Sequence, residues 1–161
     1  MKVTIPYTPR KQQAFIHTEL DKHRFSVLCC HRRFGKTVML INHLIKECMM
    51  NKNHQPRFAY IAPTYSQAKK IAWDYLKFYT KGLPKTKYND TELRCDFFNG
   101  ARITLLSSEN PDSIRGIYLD GVVCDEASQI SRELIDEVIR PALSDRKGWM
   151  VLCSTPKGMN N

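Results

Sequence analysis

The chain has 161 residues, enough for one domain with a real hydrophobic core and too few for two large modules. At 42% hydrophobic and 25% charged, with 7 glycines and 8 prolines, it is neither disordered nor fibrous; no apolar run approaches a bilayer span and MKVTIPYTPRKQQ has no signal-peptide core, so a cytoplasmic protein is expected. Lys plus Arg number 25 against 16 Asp plus Glu, a net charge of +9; this biases the surface toward polyanions, nucleic acid first, although a merely soluble basic surface fits charge alone as well.

In chain order, Thr8-Pro9 reads as an N-cap and first helical residue, predicting a helix from Pro9 to about Asp21. RFSVLCC (24–30) reads as a short apolar strand. GKTVMLINHLIKECMM follows as a helix, with Ile41, Leu44, Ile45 and Cys48 on one face. RFAYIAP (57–63) is a second strand, and Thr64 with Gln67 makes a capping box for a helix to roughly Tyr79, with Ala68, Ile71, Ala72 and Tyr75 facing inward. KGLPKTKYND (81–90) reads as a basic connector. Residues 94–106 predict a hairpin around Asn99-Gly100, read as a two-residue type I′ turn. LDGVVCDEAS gives an apolar strand ending in two acids, Leu134, Ile135, Val138 and Ile139 mark the next helix, and WMVLCSTP is a last buried strand. Apolar strands separated by helices imply an α/β fold with a mostly parallel sheet covered on both faces and ligands at the strands' carboxyl ends.

Six cysteines include no C-x-x-C pair. Cys29, Cys30, Cys124 and Cys153 lie in apolar runs and read as small buried hydrophobes in a reducing compartment, which argues against a cysteine zinc site.

The chemistry concentrates in CCHRRFGKTVML, residues 29–40. Strand, tight loop and helix form the context of a phosphate-binding loop. Such a loop needs inward backbone N–H groups at a helix N-terminus, here from Arg33, Phe34 and Gly35. It also needs a lysine for the β- and γ-phosphates, Lys36, and a hydroxyl for Mg²⁺, Thr37. Cys30 replaces the first glycine of G-x-x-x-x-G-K-[ST], which a residue at a strand end tolerates if its φ stays negative. In GVVCDEAS, Asp125 suits Mg²⁺ and Glu126 suits polarising an attacking water. The alternative, two acids solvating a strand end, is weaker beside a phosphate loop. Arg32 sits where transferred phosphate charge develops and is a candidate transition-state stabiliser; solvation, or a grip on DNA phosphates, is the competing account.

CHRRFGKT, AYIAPTYSQAKKIAWDYLK, SIRGIYLDGVVCDEAS and CSTPKG, in this order and spacing, resemble the ATPase domain of the large terminase subunits of tailed bacteriophages, the motors that drive genomic DNA into capsids. The resemblance runs from about Tyr7 to Gly158. It implies a RecA/ASCE-like P-loop NTPase, a three-layer sandwich of helices around the sheet, with residues 1–161 as the motor domain. It implies ATP and Mg²⁺ as ligands, and double-stranded DNA, a homo-oligomeric ring, a portal protein and a small terminase subunit as partners. In the family the loop often lacks its first glycine and carries an arginine at the γ-phosphate, which maps to Arg32. Gln12 matches the adenine-reading glutamine, with Gln13 as the alternative. Arg115 matches an arginine that reaches a neighbouring subunit's ATP, and Ser154 and Thr155 match the coupling motif. Lys69 and Lys70 become candidate DNA contacts, against a plain solvated helix face. Full-length relatives continue into further ATPase elements and an RNase H-like nuclease, so this chain is expected to be incomplete at its C-terminus and to lack nuclease activity. A helicase-type NTPase and a non-hydrolysing nucleotide-binding module are the other two readings.

Overall fold

Among the residues that the computed structural model describes, 2–157, seven strands form one sheet. They are β1 (Phe25–Cys29), β2 (Arg57–Ala62), β3 (Lys87–Asn89), β4 (Arg94–Asp96), β5 (Arg102–Ser107), β6 (Gly121–Asp125) and β7 (Trp149–Ser154), in spatial order β1-β7-β6-β2-β5-β4-β3. The first five in that order run parallel, and β4 and β3 complete the sheet antiparallel. Period-two alternation divides the core between two faces: Phe58 and Tyr60 pack into one cluster, Ala59 and Ile61 into the other.

Helix α1 (Lys11–Leu20) starts two residues later than Thr8-Pro9 suggested. Its N-cap is Arg10, whose amide donates to the Gln13 side chain at 2.9 Å, so a glutamine in the first turn does the capping. Helix α2 (Lys36–Met50) buries the expected Ile41, Leu44, Ile45 and Cys48 completely, and Met39 and Leu40 with them. At about 1.5–3 kcal/mol for each large aliphatic side chain buried, this is one of the main anchors of the fold.

The third helix, α3, runs through Tyr65–Gln67, a π-turn at Ala68–Ala72, and Trp73–Thr80. Thr64 caps it, accepting from the Gln67 amide at 3.1 Å. The wider π-turn shifts the inward face, so that Ala68, Ala72, Trp73, Leu76 and Thr80 are buried while Ile71 and Tyr75, expected inside, are exposed. The fourth, α4, likewise passes through Arg132–Leu134, a π-turn at Ile135–Ile139, and Arg140–Ser144, with Leu134, Val138 and Ile139 buried and Ile135 half-buried.

The expected hairpin is present as β4 and β5, but Asn99-Gly100 makes a different turn. The Gly100 amide donates to the Phe97 carbonyl at 3.1 Å and the Phe97 amide to Ala101 at 2.9 Å, with Gly100 left-handed at φ 84° and Asn99 not. This is a three-residue loop, a type I turn closed by a left-handed glycine. Asn99 also donates to the Cys48 carbonyl at 2.8 Å, closing the C-terminal end of α2. Strand β5 is also a parallel neighbour of β2, and β3 falls inside the segment read as a connector. Cys29, expected buried, is exposed, because β1 is an edge strand whose second face is open; Cys30, Cys124 and Cys153 are buried.

Candidate nucleotide site

The parallel strands end level with one another: Cys29 of β1 is paired with Ser154 of β7, and Asp125 of β6 with Cys153. Their tips, with the start of α2, frame a cleft of about 700 Å³, within the range of small-molecule sites. The loop from Cys30 to Gly35 crosses above them. Its left-handed residues are Arg33 (φ 66°) and Gly35 (φ 80°), and Cys30 is not among the residues of positive φ, so the position that lacks glycine does not require one. A Cβ at Gly35 would lie 2.6 Å from Arg10 Nη2 and 2.8 Å from Gln13 Nε2. The glycine is needed there for its backbone angle, since both crowding atoms are ends of flexible side chains that can move aside.

At the floor of the cleft the Lys36 ammonium donates to Glu126 Oε1 and to Thr155 Oγ1, and Thr155 Oγ1 donates to Glu126 Oε1 at 3.1 Å. Burial alone would lower the Lys36 pKa, but the Glu126 hydrogen bond and the Asp125 and Glu126 charges outweigh it and raise it. Burial pushes the Glu126 carboxyl up, and the Lys36 bond and charge more than reverse that. Both partners therefore stay ionised at neutral pH. Glu126 itself is left-handed, φ 49°, a conformation that strains a non-glycine residue.

Beside this pair, Thr37 Oγ1 donates to Asp125 Oδ2 at 3.1 Å. Asp125, only 6% exposed, also accepts from the Glu126 amide at 2.9 Å and from the Tyr60 hydroxyl. Burial, and then the Asp125 charge, pushes the Tyr60 phenol well above its ordinary pKa, which keeps it a donor. Sequence reasoning misses Tyr60. The available signal is a phenol in the middle of an otherwise apolar buried strand, where its hydroxyl must find a partner.

The structure thus brings Lys36, Thr37, Asp125, Glu126 and Thr155 together, with Arg32 lining the same cleft. Arg33, Phe34 and Gly35 line an adjoining hollow that shares Arg32, Lys36, Thr37, Glu126 and Thr155 with the cleft, together with Ile71 and Tyr75, the two side chains that the π-turn leaves outside. Ser154 is directed elsewhere, its Oγ accepting the Ser128 amide at 3.1 Å. Gln12 is exposed and lines a separate hollow with Arg10, Lys11, Gln13, His31 and Phe34. Gln13 is buried, and its Nε2 donates to the Phe34 and Gly35 carbonyls at 3.3 and 3.2 Å; Arg10 reaches the Phe34 carbonyl too. Arg115 is away from the cleft, exposed and 3.8 Å from Asp112. Lys69 and Lys70 are exposed on α3. Gly158, which ends the CSTPKG motif, lies outside the described residues. No helix among them is long and apolar enough to cross a membrane.

A family model described as the terminase large subunit, T4likevirus-type, N-terminal, matches residues 31–161. The large terminase subunit of Thermus phage G20c is 31% identical over 173 residues, covering 96% of this chain and 35% of the relative. That of Escherichia phage T5 is 28% identical over 159 residues, covering 95% and 35%. The chain therefore spans about a third of the length of the curated relatives it matches, 35% in both cases. The solved ATPase domain of the Thermus phage P74-26 large terminase superposes with a TM-score of 0.79 at 27% identity, covering 97% of this chain and 68% of that one. The parallel sheet with a phosphate loop between β1 and α2 is the P-loop ASCE fold of these ATPase domains. With residues 31–161 matched to its N-terminal model, the chain belongs to the large terminase subunit family.

Proposed function

We propose that this chain binds and hydrolyses Mg²⁺-ATP and that, in the longer protein, hydrolysis drives double-stranded DNA into a procapsid. The convergence of Lys36, Thr37, Asp125, Glu126 and Thr155 at one helix N-terminus carries the reading. The Thr37 hydroxyl and the buried Asp125 carboxylate, 3.1 Å apart, are the hard oxygen donors Mg²⁺ prefers, and these two residues would hold it. Bound there, the ion would neutralise charge on the phosphates.

The loop amides and the Lys36 ammonium bind the phosphates. As Lys36 turns to them it releases Glu126, whose carboxylate then orients a water and accepts its proton. Arg32, on the cleft wall, stabilises charge on the transferred phosphoryl group. Thr155, in contact with both Lys36 and Glu126, reports the exchange to β7, with Ser154 at the strand tip. Gln12 is assigned to the adenine from its hollow beside the loop, while the Gln13 amide supports the loop carbonyls. Arg115 does not line its own cleft, so its catalytic role is assigned to a neighbouring copy within the homo-oligomeric ring that the family implies. The net charge of +9 suits a DNA partner; portal protein and small terminase subunit follow from family membership, and nuclease activity is not assigned to this chain. The terminase family match favours the motor over the helicase reading.

Phosphate release from Mg²⁺-ATP tests the proposal. Lys36→Ala and Glu126→Gln should each lower turnover by about a hundredfold or more. Turnover retained in Lys36→Ala would overturn it.

A further inference from the structure

We propose a second ligand site, for a divalent transition metal of the zinc class, held between α1 and α2 by Asp21, His43 and Glu47, with His17 packed on His43 beside them. One ligand atom from each of Asp21, His43 and Glu47 lies within 4.8 Å of the other two. His17 Nδ1 is 3.1 Å from His43 Nδ1, and the two rings stack 5.3 Å apart at 20°. Each helix contributes the same pair, a histidine and a carboxylate four positions later: His17 and Asp21, then His43 and Glu47. That spacing puts both on one helix face, and the two faces meet. One imidazole and two carboxylates are a zinc ligand set that leaves a fourth position open.

The surroundings are built for it. His43 is 2% exposed, walled by the Trp149 ring at 5.3 Å. The Tyr7 hydroxyl fixes His17 through Nε2 at 2.9 Å, and His17 in turn is hydrogen-bonded to His43, the kind of outer contact that holds a metal-bound histidine in orientation. Lys46 sits on Asp21 at 2.7 and 2.8 Å. It is a surface side chain on a flexible stem, and a dication replacing it can send it into solvent. The ion would join α1, whose Arg10 and Gln13 hold the loop carbonyls, to α2, which starts with Lys36. The site does not depend on the proposed hydrolysis.

Zn²⁺ and Co²⁺ alone, titrated into the 161-residue chain, provide the test. Expected are one ion per chain, a higher melting midpoint, and a Co²⁺ spectrum without thiolate charge-transfer bands. Affinity should fall at least about tenfold in Asp21→Asn and, separately, in Glu47→Gln; both carboxylates reach the surface, and circular dichroism checks that each variant is folded. No saturable binding, binding unchanged in both variants, or a thiolate band that disappears in Cys29→Ser would each overturn the proposal.

Discussion

Replacing Tyr60 by Phe deletes one hydroxyl from the centre of β2 and leaves the ring in place. Tyr60 is 3% exposed and Asp125 6%, so water does not substitute for the lost donor. Asp125 keeps the Thr37 hydroxyl at 3.1 Å and the Glu126 amide at 2.9 Å. It is therefore not orphaned, and the larger penalty of about 3–5 kcal/mol for a stranded buried charge does not apply. The expected loss is the net worth of one hydrogen bond to a charged acceptor, about 1.5–3 kcal/mol, or a melting midpoint lower by roughly 3–12 °C. Urea unfolding of Tyr60→Phe, Asp125→Asn and the double variant isolates the pair. The Tyr60→Phe loss should shrink by about 1 kcal/mol or more when Asp125→Asn is already present. A change within about 0.5 kcal/mol of wild type, or strict additivity, would refute the assignment of Tyr60 as a support for Asp125.

Gly35→Ala places a Cβ 2.6 Å from Arg10 Nη2 and 2.8 Å from Gln13 Nε2 at φ 80°. The backbone penalty alone is about 1–2 kcal/mol, so binding of a fluorescent ATP analogue should weaken about tenfold or more; unchanged binding would show that the loop does not use this shape. Leu44→Ala removes a side chain that is 0% exposed and should lower unfolding free energy by about 2–5 kcal/mol in urea titration. A loss under about 1 kcal/mol would contradict α2 as an anchor of the core.

Much of the fold is readable in the sequence because burial leaves a periodic trace. The apolar runs of β1, β2, β6 and β7 and the stripe Ile41, Leu44, Ile45, Cys48 need no tertiary knowledge to interpret. Ile71 and Tyr75 mislead because a 3.6-residue period does not hold through a π-turn, which no local residue advertises. Lys87–Asn89 is too short and polar to announce a strand, and its pairing with β4 supplies the order. Lys36, Thr37, Asp125 and Glu126 are legible because their chemistry is tied to local context, a strand followed by a helix or an acidic strand end. Tyr60 and Arg10 are not, because their importance lies in what faces them across the fold: a carboxylate on β6 and a loop carbonyl at Phe34.

Before any phosphate arrives, the Lys36 ammonium already has Glu126 and Thr155 as partners. An incoming polyanion gains this cation in competition with a carboxylate, so the lysine's share of its affinity is a difference between two ion pairs. That exchange favours the more highly charged anion, a preference by charge that needs no contact to a base or sugar.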